Sequence, residues 1–220
     1  MEEQKTIFSE FLGMSTPALI SLIVLAVLAV GAILYFSRRK TVGAAPAITT
    51  KMLVYGAMCI AIAFVLSFIR LYRMPQGGSL TPASMLPIMA YAYIFGPVPG
   101  LICGVAYGFL QLLQDLFVVH PVQLLLDYPL AFGLIGLAGF FRKNLIPGVI
   151  VGGFARIFMH ILSGILFFAE YAPEGQSVVV YSTVYNLTVF IPDLAICVVI
   201  ALIPAIKNMF NNIKASAAIK

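Results

Sequence analysis

Long apolar runs set the strongest constraint on how this chain can fold. Residues 17–36 are rich in leucine, valine, alanine and isoleucine, and several later runs reach a similar length. A helix needs about 20 such residues to cross a bilayer. Because the runs are long and do not alternate, they predict transmembrane helices and exclude the short strands of a membrane barrel.

Composition indicates an integral membrane protein. Of the 220 residues, 62% are hydrophobic and 10% are charged, whereas about 25% of a soluble domain is charged. The net charge of +5 is attributed to cytoplasmic loops and not to a nucleic-acid surface. Cys59, Cys103 and Cys197 lie apart within apolar runs and are interpreted as small core residues. Neither a metal nor a cofactor is predicted.

Seven candidate spans follow from the apolar runs, of which the third is short and contains Pro87: 17–36, 52–69, 85–95, 99–119, 122–141, 146–168 and 179–206. The acidic start "MEEQ" and the basic "SRRK" after the first run favour a retained helix over a cleaved signal peptide. The predicted organisation is an extracellular leader, an extra helix, a basic cytoplasmic linker, a six-helix membrane domain and a basic cytoplasmic tail: 1–16, 17–36, 37–51, 52–206 and 207–220.

The distribution of basic residues predicts the orientation. One set of loops collects most of the cations: Arg38, Arg39, Lys40, Lys51, Arg142, Lys143, Lys207, Lys214 and Lys220. The other set has three cations and most of the acids: Lys5, Arg70, Arg73, Glu2, Glu3, Glu10, Glu170 and Glu174. Because cytoplasmic loops are enriched in lysine and arginine, the first set is expected inside. The N-terminus is then outside, and the C-terminus is cytoplasmic.

Polar residues at membrane depth are costly and usually mark a function. Asp127 lies among leucines, and Arg156 and His160 are four residues apart, with Gly164 and Phe168 at the same spacing. Such residues share one helix face. Further polar residues lie near them: Asp115, Tyr181, Tyr185, Asn186 and Asp193. Together they predict a pocket open to the outside.

Each of these residues also has a structural interpretation. Asp127 and Arg156 could form an intramembrane ion pair, and His160 could be a hydrogen-bonded packing residue. Asn186 could join two helices, and Tyr128 and Tyr181 could belong to the aromatic belt. Asp193 could cap backbone groups freed by Pro192, and Asp115 could mark a helix end. The occurrence of an acid, a base, an amide and several rings at one depth favours a binding site.

The residue types limit the ligand. A carboxylate with aromatic faces suits a small aromatic cation, and the amide, hydroxyl and guanidinium groups add directional hydrogen bonds. The predicted ligand is a flat polar heterocycle, either neutral or cationic. No GxxxxGK[ST] phosphate loop occurs, so the chain does not energise itself with ATP in that way. "MPQGGS", residues 74–79, is interpreted as an outer loop or lid.

Several stretches resemble the thiamine-specific S component of energy-coupling-factor vitamin transporters: "RMPQGGSLTPASMLPI", "HPVQLLLDYPLAFGLIGLAG", "RIFMHILSGILFFAEYAP" and "VYSTVYN". The resemblance covers about residues 50–207. It implies an all-α bundle of six membrane helices, which this chain precedes with the extra helix at 17–36. It also implies high-affinity binding of extracellular thiamine in the bacterial cell membrane.

The resemblance implies a set of thiamine-binding residues, carried over by position: Asp127, Tyr128, Arg156, His160, Gly164, Phe168, Tyr181, Asn186 and, more loosely, Phe117. Asp127 stands where some members have glutamate, Arg156 where lysine occurs, and Phe168 where tryptophan occurs. Asp127 would meet the thiazolium charge or the aminopyrimidine, while His160 and Phe168 would offer ring faces. Residues 73–84 would close over the site.

The resemblance also implies partners, namely a membrane coupling subunit and two ATPase subunits. The docking feature falls on Ala57 and Ala61 of "AMCIA", although alanines at this spacing are common in membrane helices. On this basis the chain is not an enzyme. Two other classes stay open: an autonomous ion-coupled carrier using Asp115, Asp127 and Asp193, and an intramembrane enzyme with His160 as base. The lack of repeats and of a second catalytic residue counts against them.

Overall fold

The computed structural model describes residues 48–218, and that part of the chain is mostly helical. The helices are α1 (Thr50–Phe68), α2 (Leu86–Phe95), α3 (Pro97–Gln114), α4 (Pro121–Phe140), α5 (Leu145–Phe167), α6 (Val178–Leu202) and α7 (Pro204–Ala218). Between α1 and α2, strands β1 (Tyr72–Arg73) and β2 (Ser79–Leu80) form an antiparallel hairpin. The all-α prediction is confirmed. The predicted helix at 17–36 and leader at 1–16 lie outside the described residues.

Five of these helices, α1, α3, α4, α5 and α6, are long and apolar enough to cross a membrane. Their outward side chains are large and apolar, with Leu113 81% exposed, Val65 64% and Leu53 61%. An apolar surface of this extent needs a nonpolar surrounding, and a helix satisfies its own backbone hydrogen bonds in lipid. The described chain is therefore a multi-pass membrane protein.

Helix α2 is a core helix. Its 10 residues reach about 15 Å, half the thickness of the apolar layer. The side chains of Ile88, Met89 and Ala92 are 0% exposed, and α2 contacts α3, α4 and α5. The predicted third span at 85–95 thus matches a helix in position, but the helix alone is too short to cross the bilayer.

Helix α4 is the least regular helix, and it carries Asp127. It starts as an α-helix, widens into a π-helical turn at Leu126–Leu130, and tightens into a 3₁₀ turn at Ile135–Phe140. Pro129 lies inside the π-helical turn and has no N–H to donate. The predicted span at 122–141 is therefore a helix with a local widening at Asp127.

Glycines on α3 let the backbone of α4 come into direct contact. A Cβ atom built on Gly104 would lie 2.2 Å from the carbonyl oxygen of Phe132, and one on Gly108 would lie 2.6 Å from that of Tyr128. Neither distance is possible for a real side chain, so both positions require glycine. The close approach fixes the segment of α4 that presents Asp127.

Two helices end earlier than predicted. The predicted span 99–119 ends at Gln114, because Asp115 leaves the helical conformation as its C-cap. The predicted span 179–206 ends at Leu202, because Pro204 disfavours a helical backbone at the preceding Ile203. Much of the predicted tail 207–220 is then helical, as α7.

Helix α7 packs against α2 through its apolar face, where Phe210 and Ile213 contact the core. Tyr93 donates to Oδ1 of Asn211 at 2.8 Å. The ammonium group of Lys214 lies 4.1 Å from the centre of the Tyr93 ring. Burial, with the neighbouring charge of Arg142, lowers the pKa of Lys214 below its ordinary value. These contacts hold α7 against the bundle.

Candidate functional site

One cavity collects polar and aromatic side chains from α1, the hairpin loop and α3 to α6. All nine residues predicted to bind substrate line it: Phe117, Asp127, Tyr128, Arg156, His160, Gly164, Phe168, Tyr181 and Asn186. The structure therefore brings the predicted set together at one place. Their role in binding stays a prediction.

The carboxylate of Asp127 is held by three neighbouring side chains. Its Oδ2 accepts from Nε2 of Gln123 at 2.6 Å and from Oγ of Ser163 at 2.9 Å. Its Oδ1 lies 3.0 Å from Nδ1 of His160. The side chain remains 13% exposed and lines the cavity. These contacts fix the carboxylate in one orientation, which is how a site for a positive or donating group is preorganised.

Two neighbours, Asp127 and Phe190, fix the orientation of the His160 ring. Because an ionised carboxylate only accepts, Nδ1 of His160 carries the proton that faces Asp127. The imidazole stacks on Phe190, with ring centres 4.5 Å apart and an interplanar angle of 20°. Its other nitrogen, Nε2, is buried and has no hydrogen-bond partner in the described part of the chain.

Arg156 pairs with Asp193. Nη1 of Arg156 lies 3.5 Å from Oδ2 of Asp193, and the two side chains are only 9% and 1% exposed. The guanidinium carbon lies 4.4 Å from the ring centre of Phe132 and 4.5 Å from that of Phe190. The alternative in which Arg156 pairs with Asp127 is therefore wrong.

Asp193 also fixes the loop that follows the hairpin. Its Oδ1 accepts from the backbone N–H of Thr81 at 3.3 Å and from the Thr81 hydroxyl at 2.9 Å. Asp193 does not cap backbone groups freed by Pro192, so that interpretation is wrong. Its partners are Thr81 and Arg156. The carboxylate is shared between a cation and the loop.

Two aromatic residues form a wall of the cavity. The rings of Phe117 and Phe168 are nearly parallel, with centres 5.9 Å apart and an interplanar angle of 19°. Tyr128 adds a third ring, but its hydroxyl donates to the carbonyl oxygen of Asp115 at 2.7 Å and accepts from the N–H of Phe117 at 3.0 Å. That hydroxyl is thus occupied by backbone groups.

Asn186 and Gly164 lie where α5 and α6 meet. Nδ2 of Asn186 donates to the carbonyl oxygen of Ser182 at 2.9 Å and lies 3.3 Å from that of His160. A Cβ atom on Gly164 would lie 2.1 Å from Oγ of Ser182. Gly164 is therefore required for helix contact as well as lining the cavity. Tyr181 lies before Asn186 on the same helix, with its ring centre 5.8 Å from that of Tyr185.

The hairpin loop lies against the cavity, as expected for residues 73–84. Its tip uses Gly77 and Gly78, whose φ angles of 85° and 86° favour glycine. The hydroxyl of Tyr185 accepts from the N–H of Gln76 at 2.9 Å and donates to the carbonyl oxygen of Gly77 at 3.1 Å. Together with Asp193, Tyr185 thus attaches the loop to α6.

Asp115 joins the ends of three elements at the rim of the cavity. Its carboxylate lies 3.2 Å from Nη1 of Arg70 and 2.7 Å from Nη2 of Arg73. It follows the last residue of α3, so the interpretation of Asp115 as a helix-end residue agrees with its position.

The sequence analysis missed several polar side chains that line the same cavity: Ser67, Gln111, Gln114 and Gln123. Gln111 and Gln114 are three residues apart in an apolar helix, and this polar spacing at membrane depth was the signal that could have found them. In residues 48–218, three buried side-chain atoms have no hydrogen-bond partner: Nε2 of Gln114, Nε of Arg156 and Nε2 of His160. All three belong to residues of this one cavity.

Ala57 and Ala61 lie elsewhere, on the exposed face of α1. That position leaves them accessible to a partner helix, and docking there stays a prediction. Within the described residues, no group of three or more metal-binding side chains occurs.

Comparison with known proteins decides the family. The sequence model of the thiamine transporter protein family matches residues 53–212. The chain belongs to this family. The resemblance inferred from the sequence is confirmed.

Two relatives and one solved structure extend this result. The thiamine transporter ThiT of Bacillus subtilis (strain 168) is 36% identical, over 58% of this chain and 74% of the relative. ThiT of Lacticaseibacillus paracasei is 33% identical, over 57% of this chain and 74% of that relative. A solved structure of ThiT from Listeria monocytogenes shares 27% identity and a TM-score of 0.64, over 72% of this chain and 96% of the other. The predicted S-component fold of the family is confirmed.

Proposed function

We propose that this chain binds extracellular thiamine with high affinity and delivers it into the cell, as the substrate-binding S component of an energy-coupling-factor transporter. Family membership and the names of the two relatives support thiamine as the substrate. The observation that carries the proposal is the cavity itself, where a carboxylate, an imidazole, a guanidinium, an amide and several rings converge under the hairpin loop. This donor set matches a flat cationic heterocycle.

The contacts suggest a role for each group. Asp127 is preorganised by Gln123 and Ser163, so it can offset the thiazolium charge or accept from the aminopyrimidine. Phe168, His160 and Tyr181 offer ring faces or edges. Asn186 uses Nδ2 for backbone contacts, which leaves Oδ1 as its acceptor for the ligand.

Three cavity atoms supply further contacts. Burying a polar atom without a partner costs about 1–3 kcal/mol, and the described chain does so three times at this one site. Nε of Arg156 is a donor, and Nε2 of His160 accepts while the ring is neutral. Thiamine, which carries ring nitrogens, an amine and a hydroxyl, would satisfy such atoms. We assign the ligand to this cavity on that ground.

The transport step requires partners. We propose a membrane coupling subunit that docks on the face of α1 bearing Ala57 and Ala61, and two ATPase subunits that hydrolyse ATP. Small residues at this spacing allow close helix contact. We also propose the orientation given by the basic residues, with the N-terminus outside and the C-terminus cytoplasmic. The chain itself then has no enzymatic step.

Binding is tested by titrating thiamine into the purified chain by calorimetry, since the sequence has no tryptophan. Saturable binding of one thiamine per chain is expected, and the absence of both heat and retained radiolabel in dialysis would contradict the proposal. Transport is tested in liposomes. We expect accumulation only with the coupling and ATPase subunits present, whereas ion-driven accumulation by the chain alone would establish the autonomous carrier.

A further inference from the structure

A cluster of three polar side chains lines the cavity at the end of α3. Gln111 and Gln114 lie one turn apart on that helix, and Ser67 faces them from α1. Oε1 of Gln114 lies 2.6 Å from Oγ of Ser67 and 3.1 Å from Nε2 of Gln111. Nε2 of Gln111 also donates to Oγ of Ser67 at 3.0 Å. The cluster is thus closed on the carbonyl side of Gln114.

The amide nitrogen of Gln114, unlike its carbonyl oxygen, is not hydrogen-bonded within the cluster. Its Nε2 atom is buried and has no hydrogen-bond partner among residues 48–218. A buried N–H donor without an acceptor is unfavourable. Because Nε2 of Gln111 donates to Oε1 of Gln114 at 3.1 Å, exchanging the two ends of the Gln114 amide would bring two N–H donors face to face. Nε2 of Gln114 is therefore held as a fixed N–H donor in the wall of the proposed binding cavity.

Asp127 and Tyr128 do not fill this role, and the other buried donor without a partner in residues 48–218, Nε of Arg156, lies on α5 and not at the end of α3. Asp127, as a carboxylate, only accepts. The hydroxyl of Tyr128 is bonded to the backbone of Asp115 and Phe117, so it has no free donor. Asp127 lies on α4, whereas Gln114 lies on α3 beside α1. If the ring of thiamine is recognised at Asp127, the amide of Gln114 faces a different part of the molecule, and the flexible hydroxyethyl arm ends in an oxygen that accepts.

We propose that Gln114 is a specificity-determining residue that donates from Nε2 to the hydroxyl oxygen of the hydroxyethyl arm of thiamine. Ser67 and Gln111 act as positioning residues, which orient the amide and do not touch the ligand. This inference rests on the proposed function, since it assigns one contact within the thiamine site. It predicts that the cavity distinguishes thiamine from the analogue whose arm is an ethyl group.

The test compares two ligands and two proteins by calorimetry on the full chain. The wild type is expected to bind thiamine roughly 3- to 10-fold more tightly than the ethyl analogue, the usual worth of one neutral hydrogen bond. Gln114→Met keeps the length of the side chain and removes the donor. The variant should lower the affinity for thiamine by this factor and leave the affinity for the ethyl analogue unchanged. The wild-type preference for thiamine then disappears.

Other outcomes overturn the assignment. Equal affinity of the wild type for both ligands would exclude a hydroxyl contact without any variant. If Gln114→Met lowers the affinity for both ligands equally, Gln114 contacts the rings that they share and not the hydroxyl group. If the methionine variant does not fold, Ser67→Ala removes one positioning contact and should reduce the discrimination without abolishing it; unchanged discrimination would refute the role of the cluster. If the wild type binds neither ligand, the proposed function itself fails.

Discussion

Replacing Asp127 with asparagine removes a negative charge from the cavity while keeping the shape of the side chain. The asparagine carbonyl can still accept from Gln123 and Ser163, which now donate to Oδ2 at 2.6 Å and 2.9 Å. Its amide can donate to Nδ1 of His160 once the imidazole proton moves to Nε2. The network around the residue is therefore conserved, and we expect the variant to fold.

The charge that is lost determines the size of the effect. A hydrogen bond to a charged group contributes about 1.5–3 kcal/mol, and an attraction between unit charges at about 4 Å reaches about 4 kcal/mol at the effective dielectric constant of a protein surface. We take the lower range, because Asp127 is 13% exposed and partly screened. The dissociation constant for thiamine should rise roughly 10- to 150-fold.

The measurement is a calorimetric titration of wild type and Asp127→Asn with thiamine, with thermal unfolding in detergent to confirm that the fold persists. Asp115→Asn serves as the matched control, because Asp115 also lines the cavity but is paired with Arg70 and Arg73. We expect the control to change thiamine affinity much less. Unchanged affinity in Asp127→Asn, with a normal unfolding temperature, would refute the assignment of Asp127 to the ligand.

Three further substitutions test the surroundings of the site. Asp193→Ala should destabilise the chain by about 3–5 kcal/mol, because it leaves Arg156 buried without its carboxylate; thermal unfolding measures this, and an unchanged unfolding temperature would contradict it. Tyr185→Phe removes the hydroxyl that binds the hairpin loop, so thiamine should leave roughly 3- to 10-fold faster in a radiolabel chase, and an unchanged rate would show that the loop does not retain the ligand. Gly164→Ala should cost about 1–3 kcal/mol in stability through its clash with Ser182, and Ser182→Ala in the same chain should recover part of that loss.

The sequence predicts the membrane class and most helix positions because long apolar runs leave few alternatives. It could not predict that α2 is buried on all sides, since an apolar residue facing lipid and one facing the core look alike. Likewise, the π-helical turn at Leu126–Leu130 packs against Gly108 of α3, and that contact joins residues that the sequence pattern does not connect.

The candidate site was predictable where one helix shows the pattern by itself. Arg156 and His160 share a face by spacing, and the structure places both in the cavity. The ion-pair partner of Arg156 was not predictable in the same way. The sequence suggested Asp127 as the partner of Arg156, and only the packing of α5 against α6 places Asp193 beside it.

Helix α6 connects the wall of the cavity with the hairpin loop. Asn186 lines the cavity, while Tyr185 beside it and Asp193 two turns later hold the loop through backbone groups and Thr81. A neutral hydrogen bond contributes about 0.5–1.5 kcal/mol and one to a charged group about 1.5–3 kcal/mol, so the loop contacts together amount to several kcal/mol. Because the same helix lines the cavity and holds the loop, a small displacement of α6 changes both sets of contacts together. Ligand release and loop opening should therefore respond to the same substitutions on α6, whereas substitutions in the α3 cluster around Gln114 should change affinity and leave loop opening unchanged.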